Sequence, residues 1–291
     1  VQKIAQDVSP LLTEYGNDIL LNEDLFKRIK HIWENTDKSK LTAEQNRLLE
    51  KSYKSFTRNG ALLNAEQKEE LREINTKLSL LSLKFGENVL AETNTYKMVL
   101  DSLNDLDGLP EYAIEAAAAI AKEKDLDGKW VITLDAPSYM PFMTYAKNRA
   151  LREELAKEFG SRSFKGDDLD NQENVKEIAN YRFKRAQLLG YKSHADFVLE
   201  ERMAETPAKV KSFLDDLLIP AAPAAKSDVE EVKQFAKNLD GLEDLKRWDF
   251  GYYSEKLKKE KYEIDDELLK PYFKLENVVD GAFQVAQKLY G

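Results

Sequence analysis

The sequence predicts a mainly α fold with one small two-stranded β pair near residues 95–100 and 130–134. Three observations carry this. Apolar residues recur three and four apart through most of the chain, the spacing of helices buried on one side. Capping residues stand where those periodic runs begin. Only two short runs, Tyr96-Lys97-Met98-Val99-Leu100 and Trp130-Val131-Ile132-Thr133-Leu134, are rich in β-prone residues instead.

Residues 1–60 read as three helices. Asn22 precedes the acidic turn Glu23-Asp24, and Leu25, Phe26, Ile29, Ile32 and Trp33 follow at helical spacing. Trp33 is expected to fill a groove between helices. Thr42 with Gln45, and Asn64 with Gln67, have the spacing of capping boxes. The helix after Asn64 is long, with Leu71, Ile74, Leu78, Leu81 and Phe85 along one seam. Leu80 and Leu83 widen that face, which predicts burial on more than one side within a bundle.

The two β-prone runs are separated by a Leu/Asp/Gly-rich loop and an alanine-rich helix over 111–124, and Asp127-Gly128 marks a turn before the second run. An antiparallel pair of this size needs helices to lean on. Residues 136–143 contain Pro137 and Pro141 and are expected to break the chain. A subdivision of the 291-residue lobe is expected near 136–141. Helices follow over about 144–159 and 170–189, the second with Val175, Ile178, Tyr181, Ala186 and Leu189 inward and Lys184 and Arg185 outward. Gly190 suits a helix C-cap. His194 opens a short helix. Thr206-Pro207 caps the next, which Pro220 and Pro223 are expected to kink or split before Gly241 ends it. The last segment, Leu275 to Tyr290, sets Val278, Ala282, Val285 and Leu289 one turn apart in an apolar stripe.

Composition narrows the function. The chain has 291 residues and a formal net charge of -9, opposite to the basic surfaces of nucleic-acid binders. It has no cysteine, which excludes disulfides, thiolate metal ligands and a cysteine nucleophile. No run approaches the roughly 20 apolar residues of a membrane span. The first residues lack the basic-then-apolar order of a signal peptide, which predicts a cytoplasmic setting, although the chain begins with Val and leaves a periplasmic or envelope setting open. Nucleophile-elbow, phosphate-loop and dinucleotide fingerprints are all missing. The lysines at 256–261 alternate with acids and read as a solvated helix face.

The densest aromatic stretch is 248–291. It runs Trp248-Asp249, then Tyr252-Tyr253, a basic helix, Leu269-Lys270-Pro271-Tyr272-Phe273, and a helix ending Leu289-Tyr290-Gly291. Together with Asn17-Asp18-Ile19 before Leu21–Phe26, Lys129-Trp130 before 131–134, and Leu188–Tyr191 before Met203–Pro207, this order resembles the thimet oligopeptidase and oligopeptidase A family of zinc metallopeptidases. Within that family it resembles the bacterial dipeptidyl carboxypeptidases (peptidyl-dipeptidases). The resemblance covers nearly the whole chain. It implies a neurolysin-like architecture, in which two helical lobes flank a deep channel that admits short peptides and has zinc on its floor.

The family's zinc is held by His-Glu-x-x-His on a helix, two histidines one turn apart with the glutamate activating water. The chain has two histidines, His31 followed by Ile32 and His194 followed by Ala195, so the motif is absent and no catalytic or metal-ligating residue can be carried over. The expectation is a non-catalytic helical lobe excised from a larger metallopeptidase, inactive alone. Zinc and short peptide substrates belong to the parent, and no cofactor is expected in this chain. Trp248, Asp249, Tyr252 and Tyr253 are candidates to line the peptide channel, with interhelical packing as the competing reading. Apolar surface of the 275–290 stripe is expected to be exposed or covered by self-association. The rival reading is a stand-alone helical binding module.

Overall fold

The computed structural model describes residues 2–263 and 266–291. In chain order the elements are α1 (Gln2–Leu20), α2 (Glu23–Asn35), α3 (Ala43–Arg58), α4 (Ala65–Thr95), β1 (Met98–Leu100), α5 (Glu111–Glu123), β2 (Trp130–Ile132), α6 (Ala136–Tyr145), α7 (Arg149–Gly160), α8 (Gln172–Leu188), α9 (His194–Leu199), α10 (Pro207–Asp240), α11 (Arg247–Tyr262), α12 (Asp266–Leu269) and α13 (Leu275–Tyr290). The fold is mainly α with one two-stranded sheet among the described residues. Two compact units form. One comprises residues 2–96 and 159–221, the other 97–158 and 222–291.

In the first unit the start signals act as their chemistry dictates. Asn22 Oδ1 accepts from Leu25 N at 2.8 Å. Thr42 with Gln45 and Asn64 with Gln67 form complete capping boxes. Phe26, Phe56 and Ala61 make one buried cluster, and Trp33 stacks on Tyr53 at 4.8 Å between ring centroids. α4 packs against both α1 and α8, which explains its wide apolar face. Leu71, Ile74 and Leu78 are buried, each contributing roughly 1.5–3 kcal/mol.

That apolar seam stops earlier than its spacing predicts. Phe85 is 41% exposed, and amide hydrogen bonds take part in the α4–α8 contact. Asn88 Nδ2 donates to Asn171 Oδ1 at 3.0 Å, Asn171 Nδ2 to the Phe85 carbonyl at 3.1 Å, and Asn174 Nδ2 to the Leu81 carbonyl at 3.1 Å. The α8 face is rotated accordingly. Val175 is exposed, Asn174 and Ala186 are buried, and Arg185 turns partly inward beside the Phe197 ring, 5.4 Å away. Burial and the neighbouring Arg182 lower the Arg185 pKa. α8 ends in a Schellman motif, with Tyr191 N–H on the Ala186 carbonyl at 2.8 Å and Gly190 at φ +83.

In the second unit β1 and β2 pair antiparallel with Met98 opposite Ile132 and Leu100 opposite Trp130. Met98, Leu100, Val131 and Ile132 are buried, and α5 covers β2. Ala117 and Ala121 are buried on α5, and their small side chains allow a close approach. The proline-bearing segment 136–143 does not break the chain: it is α6. Pro137 sits in the first turn, where no amide hydrogen is needed. Pro141 forfeits one bond, to the Pro137 carbonyl, and burial of Phe142 helps to offset it. The next helix starts at Arg149 rather than near 144, because Lys147 N–H leaves to bind the Asp107 carbonyl at 2.9 Å. α10 is likewise unbroken at Pro220 and Pro223, where four flanking alanines favour helix.

Gly108 has φ +90, and a Cβ there would lie 2.3 Å from the Tyr145 carbonyl oxygen, whereas Gly128, at φ +81, has open space. Gly108→Ala is expected to destabilise by about 1–3 kcal/mol more than Gly128→Ala. Urea unfolding of the two variants checks this, and equal midpoints would refute it.

Candidate functional site

The four channel candidates all fall at the start of α11, and the structure separates their environments. Trp248 is half-buried. Asp249 has no exposed surface, and Tyr252 and Tyr253 are 5% and 4% exposed. The tyrosines pack with Val232 and Ala236 of α10 and meet each other edge to face, 5.0 Å between centroids. Leu257 joins the same cluster, and Lys256 lies over the Tyr252 ring at 4.7 Å. Three of the four candidates are therefore placed in interhelical packing.

Asp249 organises the group. Arg149 grips it with two donors, Nε to Oδ1 at 2.9 Å and Nη2 to Oδ2 at 2.8 Å. Arg152 Nη2 adds a bond to Oδ1 at 3.0 Å, and the Lys246 N–H donates to Oδ2 at 3.0 Å, closing the first turn of α11. Burial pushes the Asp249 pKa up, but the Arg149, Lys246 and Arg152 bonds outweigh it and hold the carboxyl below its ordinary range. Arg152 is itself 1% exposed. Its remaining donors reach the Ala146 carbonyl at 2.7 Å, the Lys147 carbonyl at 3.0 Å and the Trp248 carbonyl at 3.1 Å. One guanidinium thus caps the C-terminal end of α6 and ties α7 to α11, while its face covers the Tyr252 ring at 4.2 Å. Tyr253 donates to Asp240 Oδ2 at 2.9 Å, and burial followed by that carboxylate raises its pKa.

Chemically this is a fixed ionic knot. A carboxylate with both oxygens occupied and no solvent access cannot relay protons to a substrate. Trp248 is the exception. Its ring lies 5.5 Å from Lys157 Nζ and 6.0 Å from the Arg149 guanidinium, and its indole Nε1 is buried without a hydrogen-bond partner. The sequence reading missed Arg149 and Arg152. Two arginines three apart on one helix face are a weak signal, since most such pairs face solvent.

The two histidines do not fit the family's metal. A structural or catalytic zinc needs three or four protein ligands, and among the described residues no group of three or more His, Cys, Asp or Glu side chains could hold a metal ion. His31 is exposed and pairs with Asn35, 3.1 Å from its Nδ1. His194 is partly buried, and its pKa is lowered by burial and then by Arg185 and Arg182. Those two cations would also repel a metal.

Asp249→Asn is expected to cost about 3–5 kcal/mol, because it leaves Arg152 buried opposite a neutral partner. With the folded pKa depressed, the Asp249 contribution is complete above the ordinary aspartate value of 3.8 and is lost as the pH falls through the lower folded value. Denaturant titrations from pH 7 to pH 2 should show this acid-side loss in the parent chain and a smaller one in Asp249→Asn. Tyr253→Phe should cost only about 0.5–1.5 kcal/mol, the worth of one hydrogen bond.

Comparison with known proteins places the chain. Residues 142–291, just over half of it, match the model of "Peptidase family M3". The chain is 37% identical to oligopeptidase A of Escherichia coli over 286 residues, covering 97% of this chain and 42% of that protein. It is 37% identical to the organellar oligopeptidase A of Arabidopsis thaliana, covering 98% and 37%. It is 30% identical to the dipeptidyl carboxypeptidase of Escherichia coli, covering 100% and 43%. The chain thus spans about two fifths of the length of these curated relatives. No described helix is long and apolar enough to cross a membrane. With the motif order in the sequence, the helical fold and these matches in agreement, the chain belongs to peptidase family M3.

Proposed function

We propose that this chain is the non-catalytic helical portion of a zinc-dependent oligopeptidase of peptidyl-dipeptidase type, and that it forms one wall of the channel through which short peptides reach the metal. The observation that carries this is the pairing of two facts. The chain aligns almost end to end with peptidases more than twice its length, and it holds no His-Glu-x-x-His. The zinc and its activating glutamate would then belong to the remaining polypeptide, and no catalytic step is assigned to residues 1–291. The contribution of this portion is steric. A wall selects substrates only if it does not yield, and the Arg149–Asp249–Arg152 knot gives the start of α11 that rigidity. Of the four, we assign contact with a peptide to Trp248, through the exposed part of its half-buried ring. Asp249, Tyr252 and Tyr253, buried in the same helix, would hold that helix in place.

Sequencing the gene beyond the codon for Gly291 tests the proposal. A reading frame that continues into His-Glu-x-x-His supports it, and a stop codon there favours the stand-alone binding module. The 291-residue chain itself should show no chelator-sensitive cleavage of a model peptide and no stoichiometric tight zinc binding. α13 carries exposed Val278, Val285 and Leu289, so we expect this portion to form dimers at high concentration, read by light scattering. A strict monomer would count against a role for that stripe in association.

A further inference from the structure

We propose that the recess between α4 and α8 is a binding site for a peptide segment in which apolar side chains are flanked by carboxylates. Two adjoining hollows of about 340 and 470 Å³ share Phe85 and Val175. Both volumes are of the size that holds small ligands and side chains. The walls are apolar and open: Phe85 is 41%, Val175 49% and Phe164 65% exposed.

The charge on this surface is opposite to that of the molecule. The chain carries a net charge of -9. Yet among the described residues the charged side chains lining the two hollows are Arg162, Lys176 and Arg182, all basic. Arg162 uses Nε on the Phe159 carbonyl and Nη1 on Thr93 Oγ1, both at 3.0 Å, which leaves Nη2 for a ligand. Lys176 pairs with Glu173 at 2.6 Å, but both side chains are largely exposed, and such a pair is worth little and exchanges readily. Arg182 is exposed.

A third feature points to a ligand with an acceptor group. Ser163 lines the larger hollow and is only 4% exposed, and its Oγ is buried without a hydrogen-bond partner. Its backbone is fully engaged: the N–H donates to the Glu92 carboxylate and the carbonyl accepts from Asn171 N at 2.8 Å. A peptide carbonyl or carboxylate seated there would satisfy the hydroxyl once it rotates about its Cα–Cβ bond toward the hollow. The hollow is also held in shape beforehand, because Asn171 and Asn174 pin the α4 carbonyls of Phe85 and Leu81, which lowers the cost of binding. Apolar walls, a basic rim and one hydroxyl suit an acidic amphipathic peptide. This inference stands on the first unit alone, and it survives if the channel-wall reading fails.

The test is calorimetric titration of the full 291-residue chain with acetyl-Glu-Leu-Glu-Glu-Phe-Glu-amide and with the same peptide carrying lysine for every glutamate. The acidic peptide should saturate one site and bind at least about tenfold tighter than the basic one. Lys176→Glu combined with Arg182→Glu should abolish that preference. Ser163→Ala should weaken the acidic peptide by about threefold or more, with the thermal midpoint of each variant checked first. Because Ser163 is buried, Val175→Asp, at an exposed position, provides a second variant, which should also block binding. Equal binding of the two peptides, binding of neither, or acidic-peptide binding that is indifferent to the double charge reversal on α8 would overturn the proposal.

Discussion

A carboxylate with no exposed surface stays ionised only if positive charge and hydrogen-bond donors replace the water it has lost. Asp249 meets that condition through two arginines and one backbone amide, and the consequences spread through the second unit. Arg149 and Arg152 must stand at the start of α7, which requires α7 to begin where it does. Arg152 can spend its other donors on the α6 terminus only if α6 is a helix that ends at Tyr145. Tyr252 of α11 then lies between the Arg152 guanidinium and α10.

The first unit solves a similar problem with amides. Where the apolar seam of α4 ends, asparagines of α8 and the loop before it take over the contact by satisfying one another and the α4 carbonyls. Such amide bonds fix register more narrowly than aliphatic packing, because each donor has one good position, although Asn174 Oδ1 is buried here without a partner. The same seam leaves Phe85 and Val175 outside, and the open recess is a direct result of that exchange.

Both features bear on the channel wall proposed above. Selection by exclusion needs surfaces that hold their shape against an incoming chain, and each unit contains an ionic or amide lock, Asp249 with its two arginines in one and the asparagines of the α4–α8 contact in the other. Membership of peptidase family M3 accords with the helical framework.

Local chemistry was enough to read much of the chain. Asn22, Thr42, Asn64 and Thr206 each cap the helix that follows them, Gly190 ends α8, and the runs at 98–100 and 130–132 pair, because each of these outcomes depends on residues within a few positions or on a backbone preference. The absence of His-Glu-x-x-His was equally plain. Tertiary structure decided what spacing could not. It kept 136–145 helical despite two prolines, turned Arg185 inward and Phe85 outward, and buried Asp249, Tyr252 and Tyr253 while leaving Trp248 half-buried. In each case the deciding partner lies far away in sequence, as Arg149 does from Asp249, and the energy of an ion pair or a buried ring depends on a neighbour that periodicity cannot name.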